Sequence, residues 1–400
     1  MNLILTINFS IFVNILFVYS GPIIPELGGV ERVTSVLTDF FILRGITVYY
    51  LSLEKCNETS RQFYLPNPLD IYSEENKLFF FQLLDKNKID IIINQSGLSP
   101  KVSRFCYLCK ARGIKLISVV HSSLLAVIKN YSISYFEKYN KYHLSFLLPL
   151  TNLWIVKKCI LFLYKIKYKK HYKELHQYSD KVVLLSKGYF PELSFFLPRM
   201  DFNKVIAIPN PVSFNSNHCT RSKEQEILYV GRIDFYQKKI DILLQIWKNI
   251  FNKYPDWKLT IVGGGKDLDT AIKMSEKMGL KRITFEDFQI PIEYYKRASI
   301  LCMTSAFEGF PMVLPEAMNY KVIPIIFNSY SSAQDIIENE IDGFLIPPFD
   351  INKYQKKLQT LIENKDVRNK MSQRAYLKSI HFSIENIGNT WMDFINKIAK

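Results

Sequence analysis

Short apolar runs recur along this chain at intervals too long for hairpins and long enough to hold a helix, and that spacing restricts the fold more than any other feature. In the first half the runs are residues 14–19, 47–53, 89–93, 115–120, 181–185 and 205–208. In the second half they are residues 227–230, 258–262, 283–285, 300–304, 322–326 and 344–346. Ile300-Leu-Cys-Met-Thr304 and Val322-Ile-Pro-Ile-Ile326 show no polar alternation, which is the pattern of strands covered on both faces. Strand, crossover and strand at this spacing give right-handed βαβ units and a doubly wound parallel sheet. Pro209-Asn-Pro211 and the polar stretch 213–225 read as a linker between the two sets. Four hundred residues exceed the size at which one core keeps growing, so the expectation is an α/β protein of two Rossmann-like domains.

Just past the 300–304 run stands Glu308-Gly-Phe-Pro-Met-Val-Leu-Pro-Glu316, two carboxylates with seven residues between them. Gly309 and Pro311 mark a loop becoming a helix, because glycine permits close backbone approach and proline is tolerated in a first helical turn. The free N–H groups and positive dipole end of such a helix favour a diphosphate. Glu308 and Glu316 can then accept hydrogen bonds from sugar and ribose hydroxyls on either side. An isolated pair with this spacing would more often be a cap and an exposed helical charge. Here the pair follows the carboxyl end of a parallel strand, where open α/β sheets bind ligands.

With these features in place the chain resembles the retaining glycosyltransferases of family 4, whose GT-B architecture has two facing Rossmann-like doubly wound domains with a cleft between them. The resemblance rests on Gly28-Gly-Val-Glu-Arg32, Val230-Gly-Arg-Ile-Asp-Phe-Tyr-Gln-Lys-Lys-Ile-Asp241, Ile261-Val-Gly-Gly-Gly265, Tyr294-Tyr-Lys-Arg-Ala-Ser-Ile300, the Glu308–Glu316 run and Asp342-Gly-Phe-Leu-Ile-Pro-Pro348. From residue 205 onward it is nearly continuous; earlier it depends on the glycine loop, His121 and the strand order. It implies an acceptor-binding domain at residues 1–208, a nucleotide-sugar-binding domain at 209–380, and a helix at 381–400 crossing back to the first domain. The implied activity is transfer of a sugar from a UDP- or GDP-sugar to a glycan or lipid-linked glycan acceptor in cell-surface polysaccharide biosynthesis. Retention would proceed by front-face displacement, with no cofactor and no required metal.

Loss of a nucleoside diphosphate builds negative charge on phosphate, so fixed cations matter most in the transition state. Arg232 and Lys238 follow the 227–230 run, and by resemblance they hold the diphosphate in place of a metal. The family spaces these two by five residues and this chain by six, leaving Lys238 and Lys239 both open as the phosphate ligand. Gly28 and Gly29 would let the backbone approach the leaving group, and His121, at the end of the 115–120 run, would meet the donor sugar. Glu308 would orient sugar hydroxyls, Glu316 would accept from the ribose, and Gly309, Phe310 and Pro311 would shape the pocket. Asp287 and Lys321 stand where relatives carry glycine, and a lysine tolerates left-handed geometry poorly, so strain is expected at Lys321.

The chain carries 52 Lys and Arg against 37 Asp and Glu, a net charge of +15, and residues 138–173 contribute nine lysines and no acid. Pro149 and Lys157-Lys158 interrupt the apolar parts of this stretch, so no uninterrupted span of about twenty residues exists. Lysines among Trp154, Phe162 and Tyr164 describe a segment lying in an anionic membrane interface. The alternative is a partly buried helix with a solvated lysine edge. No nucleic-acid-binding pattern accompanies the charge, and nucleic acid is not expected as a partner. Six scattered cysteines suit a reducing compartment, and with the resemblance this implies a cytoplasmic protein peripheral to the inner face of the membrane.

Cys106-Tyr-Leu-Cys109 lacks a second ligand pair, and Asp267-Leu-Asp269 falls at a helix start that favours acids, so neither is read as a metal site. The apolar first twenty residues have no basic leader or small-residue cleavage pattern. They divide into an extension at 1–13 and a first strand, with a membrane anchor as the alternative. Two competing functions remain: a GT-B nucleotide-sugar epimerase, and a non-catalytic scaffold binding polyanions or membranes, which would be expected to have lost the donor groups.

Overall fold

The uniformly apolar runs form buried parallel strands. The computed structural model describes residues 13–55, 59–134, 145–213 and 222–399. Most of the expected amino-terminal extension, the start of the basic stretch (138–144) and most of the linker (214–221) lie outside the described residues. The first sheet contains β1 (Asn14–Tyr19), β2 (Thr47–Ser52), β3 (Gln62–Tyr64), β4 (Ile91–Asn94), β5 (Lys115–Val120), β6 (Lys181–Leu184) and β7 (Val205–Ala207), in the order β3-β2-β1-β4-β5-β6-β7. The second contains β8 (Glu226–Val230), β9 (Lys258–Val262), β10 (Ile283–Glu286), β11 (Ile300–Met303), β12 (Ile323–Phe327) and β13 (Phe344–Ile346), in the order β10-β9-β8-β11-β12-β13.

Every strand pair is parallel, with β1 in register Leu16 to Ile92 on β4 and β8 in register Ile227 to Ile300 on β11. Both sheets reverse strand order at their middle, between β1 and β4 and between β8 and β11, and such reversals open crevices at the strands' carboxyl ends. The expected α/β class with two Rossmann-like sheets is therefore what the chain adopts. β3 is the strand with no apolar run to announce it: three residues long, it pairs only with β2 at the sheet edge.

The facing sides of the two sheets share one apolar core. Val33 and Leu37 from the first sheet's helix Gly29–Ile42, Met312 and Leu314 from the second domain, and Trp391 and Ile395 from the last helix all belong to it. That last helix, Ile384–Ala399, packs against Gly29–Ile42, and a Cβ on Gly388 would come within 2.5 Å of the Phe40 ring. A glycine inside a helix costs about 1 kcal/mol relative to alanine, and here the cost permits close helix contact. The chain crosses between domains twice, and the crossings are bonded together: Val212 N–H donates to the Phe382 carbonyl at 2.8 Å and Ile384 N–H to the Val212 carbonyl at 3.0 Å.

The helix Val313–Asn319 closes with Lys321 at φ +60°, its N–H on the Met318 carbonyl and the Val322 N–H on the Ala317 carbonyl. This is a left-handed carboxyl-terminal cap of the kind glycine usually fills. Asp287, the other residue at a family glycine, does not adopt positive φ. Lys321→Gly is expected to raise folding stability by a few tenths to about 1 kcal/mol, the left-handed penalty less the added freedom of the unfolded chain. Urea unfolding of the two proteins side by side measures it.

Candidate functional site

The crevice beyond β8 and β11 gathers the first group of residues. After β8 the chain turns over Asp234, whose buried carboxylate accepts the Gln237 N–H at 2.6 Å. That turn aims Lys238 inward, and its ammonium meets the Glu308 carboxylate at 2.6 Å in a largely buried pair, 16% and 8% exposed. Gln237 donates to the other Glu308 oxygen at 3.2 Å and accepts from Arg232 at 2.9 Å, so the guanidinium is held at the rim. Lys239 goes elsewhere. Its backbone is left-handed (φ +51°), and its buried ammonium lies 3.3 Å from Asp241 in the first turn of the following helix. The Asp234 turn and the left-handed backbone at Lys239 thus send the two lysines in different directions. Lys238 is the lysine delivered to Glu308.

Glu308 and Gly309 are fixed by the opposite domain. A Cβ on Gly309 would sit 1.9 Å from the His121 carbonyl oxygen, so no other residue fits without moving one domain off the other. The Tyr189 hydroxyl donates into the carbonyls of Glu308 (3.0 Å) and Gly309 (2.5 Å), and Ser123 N–H donates to the Glu308 carbonyl at 3.3 Å. Asn130 reaches across to the carbonyls of Ala306 and Ser329 at 2.7 and 3.0 Å. Buried Glu192 accepts from the Ser123 hydroxyl and the Leu124 and Leu125 N–H groups at 2.8 to 3.0 Å, and from Ser331 of the second domain at 2.6 Å. These bonds tie the loops after β5 and β6 to the loops after β11 and β12. Because Gly309 is held this way and Phe310 packs on Phe382, the helix begins at Val313, later than the sequence suggests, and Pro311 precedes it.

His121 completes this side. The Thr34 hydroxyl donates to the Val30 carbonyl at 2.7 Å, so it accepts from the Gln95 amide N–H at 3.0 Å, which turns the Gln95 oxygen toward His121 Nε2 at 2.6 Å. Nε2 therefore carries the proton, and Nδ1 is a buried lone pair with no partner among the described residues. Protein packs closely enough around the ring that desolvation pushes its pKa down to about 4.

A second group lies beside the interdomain crossings. Glu316 pairs with the guanidinium of Arg32, one turn after Gly28 and Gly29, and accepts from the Tyr295 hydroxyl at 3.0 Å. Burial raises the Glu316 pKa, while Arg32 and Tyr295 oppose that rise. Gly28 caps the helix Gly29–Ile42, and Gly29 faces the Met312 side chain of the other domain. A cavity of about 180 Å³ opens here between Arg32, Val212, Ile290, Tyr295, Met312 and Glu316. Asp267 accepts the Phe235 N–H at 2.8 Å, a loop-shaping role, and no cluster of potential metal ligands occurs among the described residues.

The candidates from the sequence therefore fall in two groups where the domains meet: Glu308 with Lys238, Arg232, Gly309 and His121, and Glu316, which lines the cavity with Arg32 and Met312, beside Gly28 and Gly29; Phe310 and Pro311 lie in the chain between them, with Phe310 buried in the core. Gln237, Arg32, Tyr295, Tyr189, Glu192 and Asn130 were not singled out. Gln237, Arg32 and Tyr295 lie inside quoted motifs, but the other three act through contacts more than one hundred residues away, which no local pattern announces.

Residues 215–378 match the family model described as glycosyl transferases group 1. The chain is 33% identical over 228 residues to the amylovoran biosynthesis glycosyltransferase AmsD of Erwinia amylovora, covering 54% of this chain and 62% of that protein. It is 28% identical over 194 residues to a Campylobacter jejuni N-acetyl-D-galactosaminyltransferase whose name specifies a PP-undecaprenol-linked glycan, covering 47% of this chain and 51% of that protein. The chain thus spans about half to three fifths of these relatives' own lengths. The structure of the Anabaena protein HepE with UDP and glucose superposes with a TM-score of 0.70 at 14% identity, over 96% of this chain and all of that one. This likeness places the fold in the GT-B class.

The depressed His121 pKa sets a pH dependence. A histidine whose folded pKa lies below its unfolded value stabilises the fold above the unfolded value, about 6.5, and that contribution is lost as pH falls toward 4. His121→Gln is expected to remove a loss on the order of 3 kcal/mol between those limits. Chemical denaturation of both proteins across that range measures the difference.

Proposed function

We propose that this chain, whose residues 215–378 form a domain of the group 1 glycosyl transferases, moves a sugar with retention from a nucleoside diphosphate sugar to a glycan or lipid-linked glycan acceptor in surface polysaccharide assembly. The observation that carries the reading is the Arg232–Gln237–Glu308–Lys238 network at the carboxyl ends of β8 and β11. One cation, Lys238, is paired with the carboxylate there, and a second, Arg232, is joined to it through Gln237. A diphosphate would draw Lys238 and Arg232 to its oxygens, where charge grows as the leaving group departs. Glu308 would then be released to accept from the sugar hydroxyls. At the other end of the crevice Glu316 would take the ribose hydroxyls, sharing its charge with Arg32.

The bond from the anomeric carbon to the diphosphate oxygen breaks, and the acceptor oxygen bonds to that carbon on the same face. The acceptor proton passes to the departing phosphate oxygen. His121 Nδ1, an unpartnered lone pair, suits a hydroxyl donated from the sugar. In this reading the two cations do the work that a divalent ion would otherwise do, and no metal is called for.

The relatives' names support an acceptor in bacterial glycan synthesis, one of them on a lipid diphosphate. For such an acceptor the helix Trp154–Tyr178 supplies a surface. It exposes Trp154, Ile155, Phe162, Leu163 and Ile166, and Lys158 lies 3.8 Å over the Trp154 ring. No helix among the described residues is long and apolar enough to cross a membrane. Lying flat, this one would place its apolar side chains at the acyl boundary of an anionic bilayer and its lysines among the headgroups.

Thermal shift against UDP, GDP, ADP, CMP and their sugars, without metal, tests the donor reading. One nucleotide class is expected to stabilise the wild type by about 2.7 kcal/mol at a concentration one hundred times its Kd, with the effect lost in Arg232→Ala and Glu316→Ala. Absence of any nucleotide effect at millimolar concentration overturns the transferase reading. For the membrane, the double substitution Phe162→Ser and Ile166→Ser is expected to weaken cosedimentation with anionic vesicles about tenfold or more, through lost apolar burial.

A further inference from the structure

Behind the crevice, at the amino-terminal edge of the first sheet, a cavity of about 540 Å³ opens between the carboxyl-terminal half of the helix Trp154–Tyr178 and the segment 196–204. Lys169, Lys173, Arg199 and Lys204 line it together with the apolar Phe196 and Leu197, and no carboxylate does. Lys204 is already used: its ammonium donates to the carbonyls of His176, Gln177 and Ser179 at 3.3 to 3.4 Å, offsetting the negative end of the helix dipole that would otherwise repel an anion. Lys169, Lys173 and Arg199 have no hydrogen-bonded or ion-paired partner among the described residues. The helix's one acid, Glu174, is engaged by Arg104 at 2.8 Å. Three unpaired cations beside apolar side chains, with the helix end capped, form a receptor for a phosphate attached to something greasy.

The helix itself identifies the source. Ile155, Cys159, Phe162, Ile166, Lys169 and Lys173 follow one another at steps of four and three and are all exposed, so they form one continuous stripe. The stripe is apolar through Ile166 and basic from Lys169, and it ends in the cavity. From Phe162 to Lys173 it rises roughly 16 Å. A helix lying on a bilayer with Phe162 and Ile166 at the acyl boundary brings Lys169 and Lys173 to the phosphate level beside it.

The geometry points to this cavity as a binding site for the phosphate headgroup of one anionic membrane lipid, separate from the donor crevice. The site rests on the membrane reading above and adds a stoichiometric contact to it: one lipid held in a pocket, where diffuse attraction would involve many. It would fix the rotation of the first domain on the membrane, and with it the direction in which the crevice faces.

Dihexanoyl phosphatidylglycerol, used below its micelle concentration, separates a pocket from a charged surface because no bilayer is present. Calorimetric titration of the full chain is expected to show one lipid per protein. The triple substitution Lys169→Ala, Lys173→Ala and Arg199→Ala should weaken binding about tenfold or more. Lys157→Ala, Lys158→Ala and Lys167→Ala, an equal loss of charge outside the cavity, should change it less than about twofold. Circular dichroism melts establish that both triples are folded. Glycerol phosphate and inorganic phosphate are expected to bind at least tenfold more weakly than the lipid.

Equal loss in the two triples, or no stoichiometric binding, overturns the pocket while vesicle cosedimentation by the wild type still upholds the membrane reading. Inorganic phosphate binding as tightly as the lipid overturns the lipid as occupant. Failure of the wild type to sediment with anionic vesicles overturns the membrane reading, and the pocket's membrane role with it.

Discussion

The contact of Gly309 with the His121 carbonyl is the constraint on which the rest of the crevice depends. Two loops from different sheets meet backbone to backbone there, at a distance that leaves no room for a Cβ. Tyr189 and Ser123 bond the Glu308 and Gly309 carbonyls brought there, and Asn130 and Glu192 add further bonds between the domains. Backbone carbonyls buried between domains would each cost on the order of 1–3 kcal/mol if left unbonded. The same bonds hold Glu308 where Lys238 and Gln237 both reach it. The geometry around Glu308 and the contact between the domains are consequently one arrangement of atoms.

Charge in the crevice follows a related logic. Glu308 and Glu316 are both largely buried, and each is matched with a cation: Lys238 from its own domain, Arg32 from the other. A lone buried carboxylate would be expensive, and a lone buried ammonium equally so. Pairing makes both acids compatible with a stable protein that holds no ligand. It also means that an anion bound there, as proposed, would exchange partners with groups already desolvated.

Much of this was legible in the sequence, for physical reasons that differ by element. Fully buried strands such as β11 and β12 declare themselves because neither face can carry a polar residue; β3 does not, because a three-residue edge strand needs little burial. The left-handed Lys321 was visible as a lysine in a glycine's place. The division of labour between Lys238 and Lys239 was hidden, since it depends on a turn closed by Asp234 and on a kink at Lys239 that moves its ammonium to Asp241. Tyr189, Glu192 and Asn130 were invisible for a plainer reason. Their partners lie in the other domain, and a one-dimensional pattern carries no record of that distance.

The bonded crossings at Val212 and Phe382–Ile384 have a mechanical meaning. Two strands joined side by side along one edge behave like a door fitted with two pins, which can swing about a single line but cannot swivel. Arg32 and Glu316 lie beside that line, because the cavity they border is walled by Val212. Glu308 is absent from that cavity's lining and is met instead by Tyr189 and Ser123 of the first domain. A small angle at the pins would barely disturb the first pair and would pull the second contact apart. The crevice in this sense resembles a pair of tongs: one end sits at the joined crossings, and the other is held by bonds made between the jaws.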